Sequence, residues 1–245
     1  MLSKNFNPRG RNRNTVVSCL LVNCFLVFLL NVQAQASGDG DEVLSPLFST
    51  NDTLEITLTL PREAVERDEF FFQGTYPATI EFTDNLGKAT SLEITTERRG
   101  MARQVVCRFP PIKLRFEKKA VKATLFHGQK SLKLVTHCDT SARVDQYSIL
   151  EMLAYQIYGL ITDFSFRVRP VSVTYTDSET GRENGPRFAF LIEDNDDVAK
   201  RNGQMKLKVG TITPKQMNPQ ESSNLSLFEY MIGNTDWTTL SGPDP

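Results

Sequence analysis

Two short segments, Ile112-Lys113-Leu114-Arg115-Phe116 and Leu132-Lys133-Leu134-Val135, decide the fold of this chain. Apolar and basic side chains alternate in both, and a period of two places alternate side chains on opposite faces of a β-sheet. We therefore predict two strands whose apolar side chains enter a core. The opposite face carries Lys113, Arg115 and Lys133.

Both segments belong to a strongly basic stretch, Arg98–Asp139. Eleven basic side chains stand there against one carboxylate, Glu117, until Asp139 closes the run: Arg98, Arg99, Arg103, Arg108, Lys113, Arg115, Lys118, Lys119, Lys122, Lys130 and Lys133. A sheet face with this charge suits phosphate or another polyanion. An ordinary solvated sheet face has the same pattern, so both interpretations stay open.

The N-terminus has the features of a secretory signal peptide. Four basic side chains within residues 4–13 precede the apolar run Val16–Leu30, and Ala34-Gln35-Ala36 is a small-x-small cleavage site. We predict cleavage after Ala36 and a secreted, periplasmic or cell-surface protein. An uncleaved anchor is the alternative, although the apolar run is short for a membrane span.

Removal of residues 1–36 leaves 24 Lys and Arg against 29 Asp and Glu, a net charge of −5. A mildly acidic protein with a local basic segment is not typical of nucleic-acid binders. We therefore expect no nucleic-acid partner, and a membrane contact only through an uncleaved signal segment.

Cys107 and Cys138 are the only cysteines left in the mature chain. An isolated pair in an oxidising compartment favours a disulfide. The bond would join the segment before the first basic strand to the end of the second and close a loop of about thirty residues, which is worth ~3–4 kcal/mol.

Other alternating segments predict further strands of an antiparallel sheet. They are Leu54–Leu60, Thr79–Phe82, Ser91–Thr95, Phe164–Val168, Val171–Tyr175 and Phe188–Ile192. The alternation slips near Pro170, which predicts a β-bulge there.

Tyr147–Thr162 changes to a helical period. Its apolar stripe consists of Ile149, Leu150, Leu153, Ile157, Leu160 and Ile161, and Met152 and Ala154 widen it. We predict a helix that packs over the sheet. Strands together with a packed helix indicate an α+β fold.

The acidic segment Glu193-Asp194-Asn195-Asp196-Asp197 follows the last predicted strand directly. Its four carboxylates could hold a divalent cation. Alternatively, they cap the short helix Asp196–Arg201 and favour its positive end. Both interpretations stay open, and no metal ligand is assigned.

Several segments together resemble one known family. They are Arg99-Gly100, Arg103, Phe109-Pro110 leading into Lys113-Leu114-Arg115-Phe116, Lys133-Leu134-Val135 with Asp139, Phe188–Asp194, and Asn234-Thr235-Asp236-Trp237. In this order and spacing they resemble the spore-coat CotH kinase-like family. The resemblance covers about Glu97–Trp237, and the order of the motifs carries it.

The resemblance implies an atypical kinase-like α+β fold, in which an antiparallel sheet-rich N-terminal lobe with a packed helix leads into an incomplete helical C-lobe. It assigns residues 97–245 to a truncated CotH kinase-like domain, which follows the predicted signal peptide over 1–36 and a β-rich segment over 37–96.

The resemblance also implies transfer of phosphate from ATP to protein serine, with Mg²⁺. By this analogy Arg99, Arg103 and Lys113 hold the nucleotide phosphates, and Glu193 lies at the nucleotide pocket. Asp236 is then the catalytic carboxylate that orients the acceptor hydroxyl.

Two features depart from the family pattern. Pro111 stands where the family often has a lysine. The family continues beyond the N-x-D element with an H-N pair and a D-F-D-like metal motif, and this sequence stops eight residues after Trp237. The comparison therefore predicts an inactive or incomplete kinase without the metal-binding half of its site.

Two other functional classes remain open. The chain could be a non-catalytic module that binds an anionic cell-envelope polymer through its basic sheet face. It could also have a purely structural role in a coat or envelope.

Overall fold

A computed structural model of the chain describes residues 45–67, 74–84, 87–100, 103, 106–139, 141–207, 212–235 and 237. The predicted signal peptide and its cleavage site lie outside these residues. Among the described helices, none has the length and apolar character needed to cross a membrane.

Seven strands form a closed barrel in the order β1-β2-β3-β4-β5-β7-β6. Their bounds are β1 Leu54–Leu60, β2 Thr75–Thr83, β3 Ala89–Arg98, β4 Ile112–Phe116, β5 Ser131–Val135, β6 Val168–Asp177 and β7 Glu183–Ile192. Neighbouring strands are antiparallel except β1 and β6, which are parallel and close the barrel. Because β3 spans residues 96 and 97, both of the predicted mature segments contribute strands to the barrel.

Four α-helices accompany the barrel in the described part of the chain. They are α1 Arg62–Arg67, α2 Asp145–Tyr158, α3 Asn195–Arg201 and α4 Pro219–Met231. Short 3-10 helices span Pro46–Phe48, Ala142–Val144 and Pro214–Gln216. The predicted α+β class is confirmed, in the form of helices around a closed mixed barrel.

The two basic strands are confirmed as β4 and β5, which pair with each other. β4 buries Ile112, Leu114 and Phe116, while Lys113 and Arg115 point outward. Each full burial of a large apolar side chain contributes roughly 1.5–3 kcal/mol. This alternation therefore fixes which side chains reach the outer surface.

The predicted disulfide between Cys107 and Cys138 is confirmed, with Cα atoms 4.6 Å apart. Cys107 precedes β4, and Cys138 follows β5. The amide of Arg108 donates a 2.9 Å hydrogen bond to the carbonyl of Cys138. The disulfide therefore ties the two basic strands together at one end of the barrel.

The prediction of a helix that packs over the sheet is confirmed, because α2 lies against β6 and β7. The stripe residues are 38–88% exposed: Ile149, Leu150, Leu153, Ile157, Leu160 and Ile161. Ser148 and Met152 are the buried residues of the helix. Apolar residues occur on almost every side of this helix, so the periodicity did not identify the side that packs.

The predicted bulge at Pro170 is also wrong, because β6 continues through that residue. Val168–Val171 is buried on both faces of the sheet, which removes the alternation. The irregularity in the β6–β7 register lies instead between Val173 and Tyr175. Opposite it, Gly185 has a φ of +139°, and an added Cβ would lie 2.6 Å from the carbonyl oxygen of Val173.

Candidate functional site

A pocket of about 200 Å³ opens on the outer face of the barrel, where β4 and β5 meet the start of α3. Its lining combines cationic, carboxylate and hydroxyl side chains: Lys113, Arg115, Lys130, Ser131, Asp194, Asp196, Asp197 and Lys206. We call it the lysine pocket.

The strand register brings Lys113 of β4 directly opposite Lys133 of β5. Like charges in this position repel each other. Lys133 has other contacts: its Nζ donates a 2.7 Å hydrogen bond to Asn195 Oδ1 and lies 4.8 Å from the centre of the Phe166 ring. Of the two lysines, Lys113 is the one that lines the pocket.

Asp194 links the barrel to α3. It is the N-cap of that helix, and its Oδ1 accepts a 2.9 Å hydrogen bond from the amide of Asp196. Its Oδ2 accepts a 2.5 Å hydrogen bond from Ser131 Oγ in β5. Burial disfavours the carboxylate, but these hydrogen bonds and the charges of Lys113 and Lys133 prevail and lower the pKa of Asp194. Asp194 is therefore an anion fixed in place.

Asp197 has the opposite tendency. Burial and the neighbouring carboxylates of Asp194 and Glu193 raise its pKa, while Lys200 and Lys130 oppose that shift. The pocket therefore contains one carboxylate that is held ionised and one that takes up a proton more readily.

The cations of the pocket differ in how they are paired. Arg115 donates two hydrogen bonds, at 2.5 and 2.9 Å, to the carboxylate of Glu97. Among the described residues, no hydrogen bond or ion pair engages the ammonium groups of Lys113, Lys130 and Lys206. These three lysines are the groups that can meet an anionic ligand.

The capping interpretation of the acidic segment is confirmed by the hydrogen bonds of Asp194. Within the described ranges, no group of three or more His, Cys, Asp or Glu side chains is arranged to hold a metal ion. The divalent-cation interpretation of this segment therefore has no support from the described residues.

Two of the predicted phosphate-binding arginines do not line the lysine pocket. Arg103 forms a 2.6 Å ion pair with Glu151 of α2. The main-chain amide of Arg99 donates a 2.9 Å hydrogen bond to the carbonyl of Pro111. Of the predicted phosphate-binding residues, Lys113 is the one that the structure places in the pocket.

Glu193 follows β7 and is only 4% exposed. Its carboxylate accepts hydrogen bonds of 3.1 and 3.3 Å from Arg201 Nε, and one of 3.1 Å from the amide of Arg167. Arg201 also donates to the carbonyls of Asp163 and Ser165. These contacts tie α3 to the segment before β6, and Glu193 does not line the pocket.

Asp236, the predicted catalytic residue, lies outside the described residues. Its neighbour Asn234 donates a 2.7 Å side-chain hydrogen bond to Glu229 of α4. The role of Asp236 stays a prediction.

Sequence reasoning missed Ser131 and Lys206 as pocket residues. Ser131 is the first residue of β5, and its hydroxyl reaches Asp194 because β5 pairs with β7. That pairing joins segments about sixty residues apart, and no local pattern in the sequence indicates it.

Comparison with known proteins identifies no family for this chain: no protein-family model matches it, and no curated protein is significantly similar.

Proposed function

We propose that this chain is an exported CotH-like, atypical protein kinase-like domain that binds the phosphates of ATP in the lysine pocket. The observation that carries the proposal is the convergence of Lys113, Lys130 and Lys206, without ion-pair partners among the described residues, on one pocket. Ammonium groups are suited to phosphate oxygens, and Lys113 is held by a strand of the barrel.

The order of the elements supports the kinase-like interpretation. β4 and β5 precede a helix, two strands follow it, and the acidic segment comes next. Protein kinases hold their helix to the nucleotide-binding sheet through a Lys–Glu ion pair. The ion pair of Arg103 with Glu151 likewise joins a cation of the basic stretch to α2, although Arg103 lies before β4 and not on a strand.

The fit to Mg-ATP is partial. The lysines fit the phosphates, whereas the described carboxylates form no group arranged for a metal ion. When bound, Mg²⁺ would neutralise charge on the phosphates. We therefore assign this chain the phosphate-holding part of the site and leave the metal ligands unassigned.

By the family resemblance, the reaction would be transfer of the γ-phosphoryl group to a serine of a protein substrate. The bond from the γ-phosphorus to the bridging oxygen would break with ADP as leaving group, and a bond to the serine Oγ would form. Asp236 would orient the acceptor hydroxyl and accept its proton. We propose this activity for the site to which these residues belong.

Thermal unfolding with ATP and Mg²⁺ or Mn²⁺ tests the proposal. ATP at about 100 times its Kd should stabilise the protein by ~2.7 kcal/mol. A variant with Lys113→Ala and Lys130→Ala should lose about tenfold in affinity, or ~1.4 kcal/mol of that gain. Lys118→Ala with Lys119→Ala is the matched control, since both lysines are exposed and outside the pocket.

An unchanged melting temperature of the wild-type protein at millimolar ATP would contradict phosphate binding. An equal loss of ATP affinity in the pocket variant and in the control variant would show general charge attraction in place of a phosphate site.

One observation favours a second candidate, a module that binds an anionic envelope polymer. Lys118, Lys119 and Lys122 are exposed on the connection between β4 and β5, which Val121 and Phe126 anchor in the core. This candidate predicts salt-sensitive binding of a polyuronate. Changing these three lysines to glutamine should weaken that binding, and ATP should have no effect on melting.

A further inference from the structure

A second and larger concavity lies elsewhere on the outer surface of the barrel. It has a volume of about 610 Å³ and crosses β3, β2, β1 and β6. Its lining residues are Glu55, Ile56, Thr57, Glu81, Phe82, Thr83, Ala89, Thr90, Ser91, Ser172, Thr174 and Pro186. We call it the glutamate groove. Its volume lies in the range of ligand sites, about 300–1,000 Å³.

The charge of the groove excludes the ligands proposed for the lysine pocket. Glu55 and Glu81 are the charged residues of its described lining, and no Lys or Arg belongs to that lining. Neither carboxylate forms an ion pair with another described residue. A phosphate would be repelled here, whereas a cation would find two unneutralised carboxylates.

The strand register surrounds each carboxylate with hydroxyl groups. Glu81 of β2 lies directly opposite Ser91 of β3 on one side and Thr57 of β1 on the other. Glu55 of β1 lies opposite Ser172 of β6. Opposite side chains on neighbouring strands have Cβ atoms about 4.5–5.5 Å apart, so these groups can meet one ligand atom together.

This combination of groups matches the chemistry of an ammonium ion. An ammonium has three N–H donors and no acceptor. One carboxylate and two hydroxyl oxygens supply three acceptors and one negative charge. Glu81 with Ser91 and Thr57 provides such a set.

The groove provides a second position, Glu55 with the hydroxyl of Ser172, at a defined separation from the first. Glu55 and Glu81 are diagonal neighbours on adjacent strands, a relation that places side chains roughly 7–8 Å apart. The four strands span about 14 Å, three inter-strand spacings of ~4.8 Å. A linear ligand with regularly spaced ammonium groups matches this geometry.

The closed barrel also limits how a ligand can bind. β1, β2, β3 and β6 each pair with a strand on both sides. Their main-chain groups are therefore not available to an added peptide strand, and recognition must come from side chains.

We propose that the glutamate groove binds a linear polyamine through two ammonium subsites, one at Glu81 with Ser91 and Thr57, the other at Glu55 with Ser172. The same ammonium chemistry occurs in the lysine side chains of a peptide. This inference goes beyond the proposed function and involves none of the lysine-pocket residues.

Isothermal titration of the full chain at low salt tests the groove, with spermine and tetralysine as probes and tetraglutamate as the anionic comparison. We expect spermine to bind and tetraglutamate not to bind. A double variant, Glu55→Gln with Glu81→Gln, should weaken spermine at least about tenfold, since charged hydrogen bonds are the strong ones. These exposed, isosteric changes should leave the thermal unfolding curve in place.

Two further variants separate a site from general attraction. Glu179→Gln removes an exposed carboxylate from the turn between β6 and β7, outside the groove lining, and should change the spermine Kd by less than about twofold. Thr57→Val with Ser91→Ala removes the hydroxyl acceptors and should weaken spermine about threefold to tenfold.

Failure of both probes to bind would overturn the proposal, as would an equal loss of spermine affinity in the Glu179→Gln control. If tetralysine bound and spermine did not, and the double glutamine variant lost this binding, the ammonium site would stand. Its ligand would then be the lysine side chains of a protein partner. Self-association that the double variant abolishes, without binding of either probe, would overturn the proposal in favour of a second copy. The response to ATP is independent of every one of these outcomes.

Discussion

The lysine pocket and the glutamate groove lie on the same barrel but have opposite chemistry. Lys113, Lys130 and Lys206 are the cations that the pocket leaves for a ligand, and Glu55 and Glu81 are the charged groups of the groove. Their inward neighbours are alike, because every strand contributes apolar side chains to one core. A closed barrel therefore fixes its inner residues and leaves each part of its outer surface free to carry a different charge.

The two regions also differ in how they are held. The groove lies on β1, β2, β3 and β6, strands of 7 to 10 residues joined by long ladders. The pocket lies on β4 and β5, which have five residues each. A disulfide and buried polar contacts around α3 support this shorter pair, so damage to those contacts should affect the pocket first.

The largest expected effect comes from Arg201→Met. The ion pair of Arg201 with Glu193 is nearly fully buried, and loss of one partner would leave an unpaired buried charge. We expect a loss of about 3–5 kcal/mol in the free energy of unfolding. The control is Arg115→Gln, whose half-exposed pair with Glu97 should be worth at most about 1 kcal/mol.

Urea unfolding of both variants measures this difference. Equal and small losses would show that Glu193 does not depend on Arg201, and the nucleotide role predicted for Glu193 would then regain support.

Loss of the disulfide should have the next largest effect and separates the two regions most clearly. Replacing Cys107 and Cys138 by serine opens a loop with a sequence separation of 31 residues and should cost about 3–4 kcal/mol. Hydrogen exchange should show the largest loss of protection in β4 and β5 and a smaller one in β1 and β2. An equal loss of hydrogen-exchange protection in all strands would contradict the inference that the disulfide stabilises the strands of the pocket more than those of the groove.

His137, which directly precedes the disulfide, should make stability depend on pH. His137 is only 1% exposed. The centre of its ring lies 5.3 Å from that of Phe109 and 5.2 Å from that of Tyr175. Its Nδ1 has no hydrogen-bond partner among the described residues. Burial, with the charges of Arg187 and Arg62, lowers the pKa of His137 to about 4, and Asp145 and Asp139 only partly oppose it.

The His137 imidazole takes up a proton near pH 6.5 in the unfolded chain but only near pH 4 in the folded chain. The free energy of unfolding should therefore be highest above about pH 6.5 and should fall as the pH decreases towards 4. The loss should be on the order of 3 kcal/mol. His137→Phe should remove that part of the pH dependence. An identical profile in wild type and variant would contradict the buried neutral imidazole.

The smallest expected effect concerns Glu97, which neutralises Arg115 at the edge of the pocket. Glu97→Gln should free the guanidinium for an anionic ligand and lower the ATP Kd about twofold to threefold, a modest change because the pair is partly exposed. Glu93→Gln on the same strand is the control and should leave the Kd unchanged. Fluorescence titration with a labelled ATP analogue can measure both.

Much of the barrel could be predicted because half-buried strands alternate visibly. β1 and β4 follow a period of two, and the predicted strands Thr79–Phe82 and Ser91–Thr95 lie within β2 and β3. In β6 the alternation of apolar and polar residues is absent where the strand is buried on both faces. The side of α2 that packs was not predictable, because this helix is apolar on almost every side.

The site was only partly predictable, for a physical reason. The positive surface around Lys113 follows from alternation within one strand, and the capping role of Asp194 follows from its place before a helix. The contact of Ser131 with Asp194 depends on the pairing of β5 with β7. The groove depends on the parallel pairing of β1 with β6, which brings Glu55 beside Ser172. Neither pairing leaves a local signal in the sequence.

Separate titrations of one set of variants with Mg-ATP and with spermine test the opposite preferences of the two regions most directly. Separate experiments are needed because polyamines bind nucleotide phosphates. The account predicts that Lys113→Ala with Lys130→Ala weakens only ATP, and that Glu55→Gln with Glu81→Gln weakens only spermine. If each pair of changes altered both affinities equally, the two regions would not be independent sites, and the account would be wrong.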